Sequence, residues 1–209
     1  MRKQLIFATI VTLCSFGMID TAQTEVINNN KLTKYDLDRE LEAQEELCRI
    51  EEEKIKQHHS EELEHFLNAI GHRESTNRYD VVNKWGYMGR YQFGKSTLKG
   101  LGFDVSKKEF LNNPQLQEEA MMALLLHNKE KLQKYIDIFD GQTVNGMLIT
   151  ESGILAAAHL GGQGSVKRYF KHGKVFRDGN GTKITSYMNK FSGYAVSYTH
   201  LTLPTKRIV

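Results

Sequence analysis

Leu63, Phe66, Leu67 and Ile70 recur at the i, i+3, i+4, i+7 spacing of a helix with one buried face, and the pattern stops at Glu74-Ser75. Polar turn residues follow, then Gly86, Gly89 and the triplet Tyr91-Gln92-Phe93. This order constrains the fold more than any other stretch of the chain. It places a carboxylate at the end of a buried helix and a Gly-rich aromatic loop directly after it. A general acid needs such a setting, because a carboxyl half out of water keeps its neutral form more readily.

The remainder of the chain agrees with a mainly α fold. Only 2 of its 209 residues are Pro, 17 are Gly, and long strand-like alternation is missing. The length suffices for one domain with a sizeable core and additional segments.

Residues 1–22 read as a secretory signal peptide. Arg2 and Lys3 form the charged start, and Leu5 to Ile19 is almost unbroken apolar sequence, short for a membrane span. Cleavage fits after Gly17 or after Ala22, and an uncleaved anchor is the alternative. Cys14 lies in this leader with bulky Leu13 before it, which disfavours a lipoprotein site. Cys48 is the other cysteine, so no internal disulfide is expected after cleavage. The protein is therefore expected outside the cytoplasm, in the periplasm or extracellular envelope, without stable membrane insertion once the leader is gone.

Residues 23–57 are expected to form a flexible lead-in and an acidic exposed helix. Leu41, Cys48 and Ile55 recur every seven residues, but the other seam (Leu37, Gln44, Glu51, His58) is mostly polar. A coiled coil wants both seams apolar. A solvated helix is the preferred reading of this segment, and self-association through residues 32–57 is the alternative. His58 and His59 are adjacent, so they do not share a helix face, and no further ligand stands at metal spacing. No metal and no cofactor is expected.

Charge divides along the chain. Residues 23–70 carry 6 Lys and Arg against 13 Asp and Glu, a net −7; residues 71–194 carry 18 against 11, a net +7. The basic part suits an anionic polymer. Export and the lack of a nucleic-acid motif argue against nucleic acid.

A main domain over residues 58–194 is expected. Ser60 is a candidate N-cap with Glu61 and Glu62 in the first turn. Tyr79 to Phe93 should be a loop with a short hairpin, and Ser96 to Leu101 a short helix closed by Gly102. Asn113 should cap a long helix with Pro114 at its first position. Thr150 should cap Glu151 to Leu160, ended by Gly161-Gly162, with another helix from near Ser165. Asp178 to Thr182 reads as a plain turn, lacking the carboxylates of a calcium loop.

Four short motifs then stand in order: Glu74-Ser75; Gly89-Arg90-Tyr91-Gln92; Ala157-Ala158-His159-Leu160-Gly161-Gly162; and Thr185-Ser186-Tyr187-Met188. Over roughly residues 60–194 they resemble the lytic transglycosylase and goose-type lysozyme superfamily. That family has a Glu-Ser motif, a Gly-x-x-Gln motif, an Ala-Tyr-Asn-x-Gly segment and a Tyr on the last helix. The third motif departs from the pattern: His159 takes the Tyr position and Leu160 the Asn position. A His can still donate a hydrogen bond to a sugar; a Leu cannot.

The resemblance implies a lysozyme-like (lytic transglycosylase type) catalytic domain preceded by a charged helix, acting on peptidoglycan glycan strands. Glu74 would be the catalytic acid at the bond after N-acetylmuramic acid. Ser75, Gly89, Tyr91, Gln92, His159 and Tyr187 would bind substrate or position Glu74. A lysozyme-type hydrolase also needs a second carboxylate to activate water or act as nucleophile. The first acidic residue after Glu74 is Asp80, which is therefore the candidate second carboxylate. If none faces Glu74, the muramic 6-hydroxyl attacks instead and leaves 1,6-anhydromuramyl ends, as the transglycosylase resemblance implies. Goose-type hydrolysis, with Asp80 as helper, and an inactive wall-binding scaffold of an envelope machine or a phage are the alternatives.

Residues 195–209 stand apart. Val196 to Thr205, VSYTHLTLPT, resemble the translated transposase-end adapter of sequencing libraries, so no function is expected there; a genuine short strand is the alternative.

Overall fold

The computed structural model describes residues 34–196, with side chains from residue 38 onward. The expectations for residues 1–22, for the lead-in and for residues 197–209 lie outside this range. Among the described residues the chain is mainly helical, and no helix is long and apolar enough to cross a membrane.

The first element, α1, runs without a break over Lys34–Ser75. Ser60 is therefore not its N-cap, contrary to expectation. The helix carries no Pro and no Gly before Gly71, and Glu, Lys, Gln, Leu and Arg dominate it, so nothing interrupts propagation. The described residues divide at Gln57 and His58 into two compact units. In the first, Leu41, Leu47, Ile50 and Ile55 are exposed along a strongly acidic helix.

The second unit contains the remaining helices: α2 (Lys95–Gly100), α3 (Lys107–Leu111), α4 (Pro114–Phe139), α5 (Glu151–His172) and α6 (Ile184–Lys190). A two-residue hairpin, β1 (Thr143–Val144) with β2 (Met147–Leu148), joins α4 to α5. Its turn residues Asn145 and Gly146 both have positive φ, the geometry that makes Asn-Gly a hairpin signal. The caps form as the residue types require. Asn113 Oδ1 accepts from Leu116 N at 3.1 Å ahead of Pro114, and Thr150 Oγ1 accepts from Gly153 N at 3.1 Å. Within α5 the backbone breaks at Gly162, whose φ is 74°, so the two helices read from sequence stack end to end around one left-handed residue.

Two apolar clusters share α5. Phe66 and Ile70 of α1 pack with Tyr91, Phe93, Phe110, Met121, Leu125, Leu155 and Phe191 in one. Leu132, Ile136, Ile149, Ile154, Val166, Ile184 and Met188 form the other. Ile154 to Ala157 are fully buried, which makes α5 the central helix of this unit. Of the residues read as adapter-derived only Ala195 and Val196 are described; Val196 is buried in the first cluster.

The contact of α5 with α6 depends on Gly153, because a Cβ there would stand 2.5 Å from the carbonyl oxygen of Met188. A backbone atom cannot yield as a flexible side chain can. Gly153→Ala should therefore destabilise the fold by roughly 1–3 kcal/mol despite the better helix propensity of Ala. Urea denaturation checks this; an unchanged midpoint would show that the two helices separate freely.

Candidate active site

Glu74 occupies the last turn of α1. The helix ends there because Thr76 and Asn77 both take left-handed conformations, φ 55° and 61°, and return their N–H groups to His72 and Gly71 carbonyls at 3.0 Å each. Asn tolerates that region; a β-branched Thr does so only at a cost of about 1 kcal/mol or more. Gln92, also non-Gly, has φ 52°. Backbone strain thus gathers around this carboxylate.

Glu74 keeps 16% of its side chain exposed and opens onto a cavity of about 280 Å³. Its Oε1 accepts the Tyr187 hydroxyl of α6 at 2.6 Å, from 113 residues along the chain. The same oxygen lies 3.8 Å from His159 Nε2 of α5. Burial, with the charge and hydrogen bond of Glu74, drives the Tyr187 pKa up, while Arg73 opposes this, so Tyr187 is a fixed donor.

His159 is buried beside Glu74, its ring edge-on to Phe93. Burial pushes its pKa down; the Glu74 carboxylate and the Tyr91 backbone pull the other way without reversing it. Near neutral pH the imidazole is therefore neutral.

The loop before Gln92 is fastened from behind by α4. Gln117, fully buried, accepts from Arg90 N at 2.8 Å and donates to the Tyr79 and Phe110 carbonyls at 3.0 and 2.8 Å. Glu118 accepts from the Tyr79 hydroxyl (2.8 Å), Arg90 Nη1 (2.8 Å) and the Tyr91 hydroxyl (2.6 Å). Gly89 lies so close to Gln117 that a Cβ would meet its Oε1 at 2.0 Å, at a φ of 74° that itself favours glycine.

These contacts divide the residues singled out from sequence. Glu74, Gln92 and His159 line the cavity. Tyr187 reaches Glu74 but is itself buried, so it positions the carboxylate. Ser75, Gly89 and Tyr91 do not line it. Ser75 Oγ donates to Arg90 O at 2.8 Å and accepts from Arg78 N at 2.9 Å, tying the helix end to the loop. Tyr91 is wholly buried, with its hydroxyl on Glu118. Asp80 is exposed, 3.5 Å from Arg78, and does not line the cavity.

Sequence reasoning did not place Asn83, Trp85, Tyr87, Asp178, Gly179 or Asn180 at the cavity. Trp85 and Tyr87, each 47% exposed, present aromatic surface on a turn shaped by Asn83, whose Oδ1 accepts from both their N–H groups at 2.9 and 3.1 Å. Two aromatics flanking Gly86 were the available signal. Asp178 also lines the cavity. It is the turn residue that the sequence suggests, its Oδ1 accepting from Asn180 N at 2.9 Å and Thr182 N at 2.7 Å, but the turn folds against the site.

Comparisons with protein-family models, curated proteins and solved structures found no match to this chain.

His159 makes stability depend on pH. Its folded-state pKa lies below the unfolded value, so the unfolded chain binds more protons in that interval. Stability is then full above about pH 6.5 and falls as pH drops through the folded pKa. The urea midpoint of the wild type should fall between about pH 7.5 and 5.5, and His159→Phe should remove part of that fall. Equal slopes in the two proteins would contradict a buried neutral imidazole.

Proposed function

We propose that this chain is an exported enzyme that cleaves the β-1,4 bond between N-acetylmuramic acid and N-acetylglucosamine in peptidoglycan glycan strands. The observation that carries the reading is Glu74 at a helix terminus, held by Tyr187 and opening onto a cavity lined by Gln92 and by half-exposed aromatic rings. Four motifs far apart in sequence supply this neighbourhood, in the order that resembles the lytic transglycosylase and goose-type lysozyme superfamily. The net +7 over residues 71–194 suits an anionic wall polymer.

In this reading protonated Glu74 gives its Oε2 proton to the glycosidic oxygen, and the bond breaks through an oxocarbenium-like state. Tyr187 holds Oε1, so the carboxyl does not rotate away from the bond. Trp85 and Tyr87 offer flat apolar faces for pyranose rings. The muramic 6-hydroxyl then attacks the anomeric carbon and returns its proton to Glu74, leaving a 1,6-anhydro end. An intramolecular nucleophile has a high effective concentration. The outward position of Asp80 supports this single-carboxylate route.

One observation favours hydrolysis as a second reading: Asp178 shares the cavity with Glu74 and could take a proton from water.

Loss of turbidity of purified cell walls tests the acid. Glu74→Gln keeps the shape and should lower the rate by roughly 10²–10⁴-fold; retained lysis would remove Glu74 from the chemistry. Tyr187→Phe should lower kcat by roughly 10–100-fold with KM little changed, the effect of losing one hydrogen bond to a charged group. Asn at position 178 can keep the Oδ1 acceptor that caps the turn. Asp178→Asn should therefore leave the rate within about threefold on the transglycosylase route, whereas a loss of about 10²-fold or more would establish the hydrolytic one.

A further inference from the structure

The third motif departs from the resembled family at His159, and the structure sets that residue against Glu74. Its Nε2 lies 3.8 Å from the Glu74 Oε1 that also accepts the Tyr187 hydroxyl. Only 7% of the imidazole and 16% of the Glu74 side chain are exposed, so little water screens one from the other. Its Nδ1 is buried without a hydrogen-bond partner. From the loop, the Phe93 ring and the Tyr91 backbone face it. The Tyr187 hydroxyl of α6, with the Arg73 side chain of α1 beside it, shares Glu74. Asp178 lies on the same cavity, and His127 of α4 lines the adjoining groove. Among the described residues Glu74 is the one carboxylate within ion-pair distance of His159. A proton taken up by the imidazole therefore has Glu74 as its charged partner.

The reaction uses the negative charge of Glu74. Once the carboxyl has given up its proton, the carboxylate faces an oxocarbenium-like centre and then takes a proton from the attacking hydroxyl. A neutral imidazole leaves that charge whole. A charged one offsets it, weakening both its attraction for the cation and its strength as a base. We propose that His159 is a positioning residue that acts through Glu74 as a brake: the neutral ring permits catalysis, and a protonated ring pairs Nε2–H with Oε1 and slows it. The proposal rests on the glycan-cleaving reading above. Burial opposes protonation of the ring, so the brake engages only below about pH 6.5, the ordinary value for an imidazole. A Tyr in this position, as the resembled family has, gains no positive charge.

The test is the pH profile of wall lysis by the full chain, over the range in which circular dichroism reports the folded protein. Each protein is compared with its own rate at about pH 7.5. Below about pH 6.5 the wild type should lose kcat on the order of 10-fold, with KM little changed. His159→Gln and His159→Tyr should both lose this acid limb, and Asp178→Asn should keep it. A flat wild-type profile, or an acid limb unchanged in both His159 variants, would overturn the proposal. So would a limb that disappears in Asp178→Asn, or a rate loss that only follows unfolding. The pairing also has a readout that needs no lysis. In a proton NMR titration, the His159 signal is assigned by its absence from His159→Gln. It should titrate at lower pH in Glu74→Gln than in the wild type, because the carboxylate no longer favours the imidazolium. An equal midpoint would overturn the pairing even where walls are cleaved. No lysis by the wild type at any pH would overturn the glycan-cleaving reading, and the brake with it.

Discussion

The hydrogen bond from Tyr187 to Glu74 is the contact on which the site depends. It joins the last turn of α1 to α6 across 113 residues, and α5 contributes buried residues to both apolar clusters. A carboxylate at a helix end would otherwise rotate into water. Here one oxygen is occupied, and the residue lines a cavity. Folding energy from the two clusters is thereby converted into the orientation of a single side chain, which is the form of preorganisation that acid catalysis needs.

Behind the cavity, Gln117 and Glu118 carry out the same task for the loop. Neighbouring residues on α4, they hold the Arg90 backbone, the Arg90 side chain and two tyrosine hydroxyls. The arrangement explains why a Gly must stand at position 89, and Gln92, whose φ is 52°, returns its backbone N–H and its side-chain amide to the Gly89 carbonyl. The strain is local, and the network beside it is anchored on the buried side chains of Gln117 and Tyr91.

Much of this was legible in the sequence because its signals were local. Apolar spacing placed the end of α1 at Glu74, and Asn113-Pro114 and Thr150 marked two helix starts. The extent of α1 was misjudged because Ser60 is a plausible cap only when a helix begins there, and nothing between Lys34 and Gly71 forces a break. The hairpin at Asn145-Gly146 was announced by its dipeptide and went unread. That Ser75, Gly89 and Tyr91 do not line the cavity was not legible for another reason: a motif gives proximity to a site without giving direction. Tyr91 points away from the cavity onto Glu118, a partner 27 residues away that no local pattern indicates. Asp178 was invisible for the same reason: it reads as an ordinary turn residue, and only the tertiary fold brings it to the cavity.

The proposal of a wall-cleaving enzyme rests on four short motifs, one of them altered, and on the setting of Glu74 beside a cavity. Its most direct test is mass spectrometry of the soluble material that the protein releases from purified peptidoglycan. The account predicts muropeptides with 1,6-anhydromuramyl ends, absent when Glu74→Gln is used. Products heavier by one water, with reducing ends, would contradict the single-carboxylate route, and no soluble product at all would contradict the enzyme.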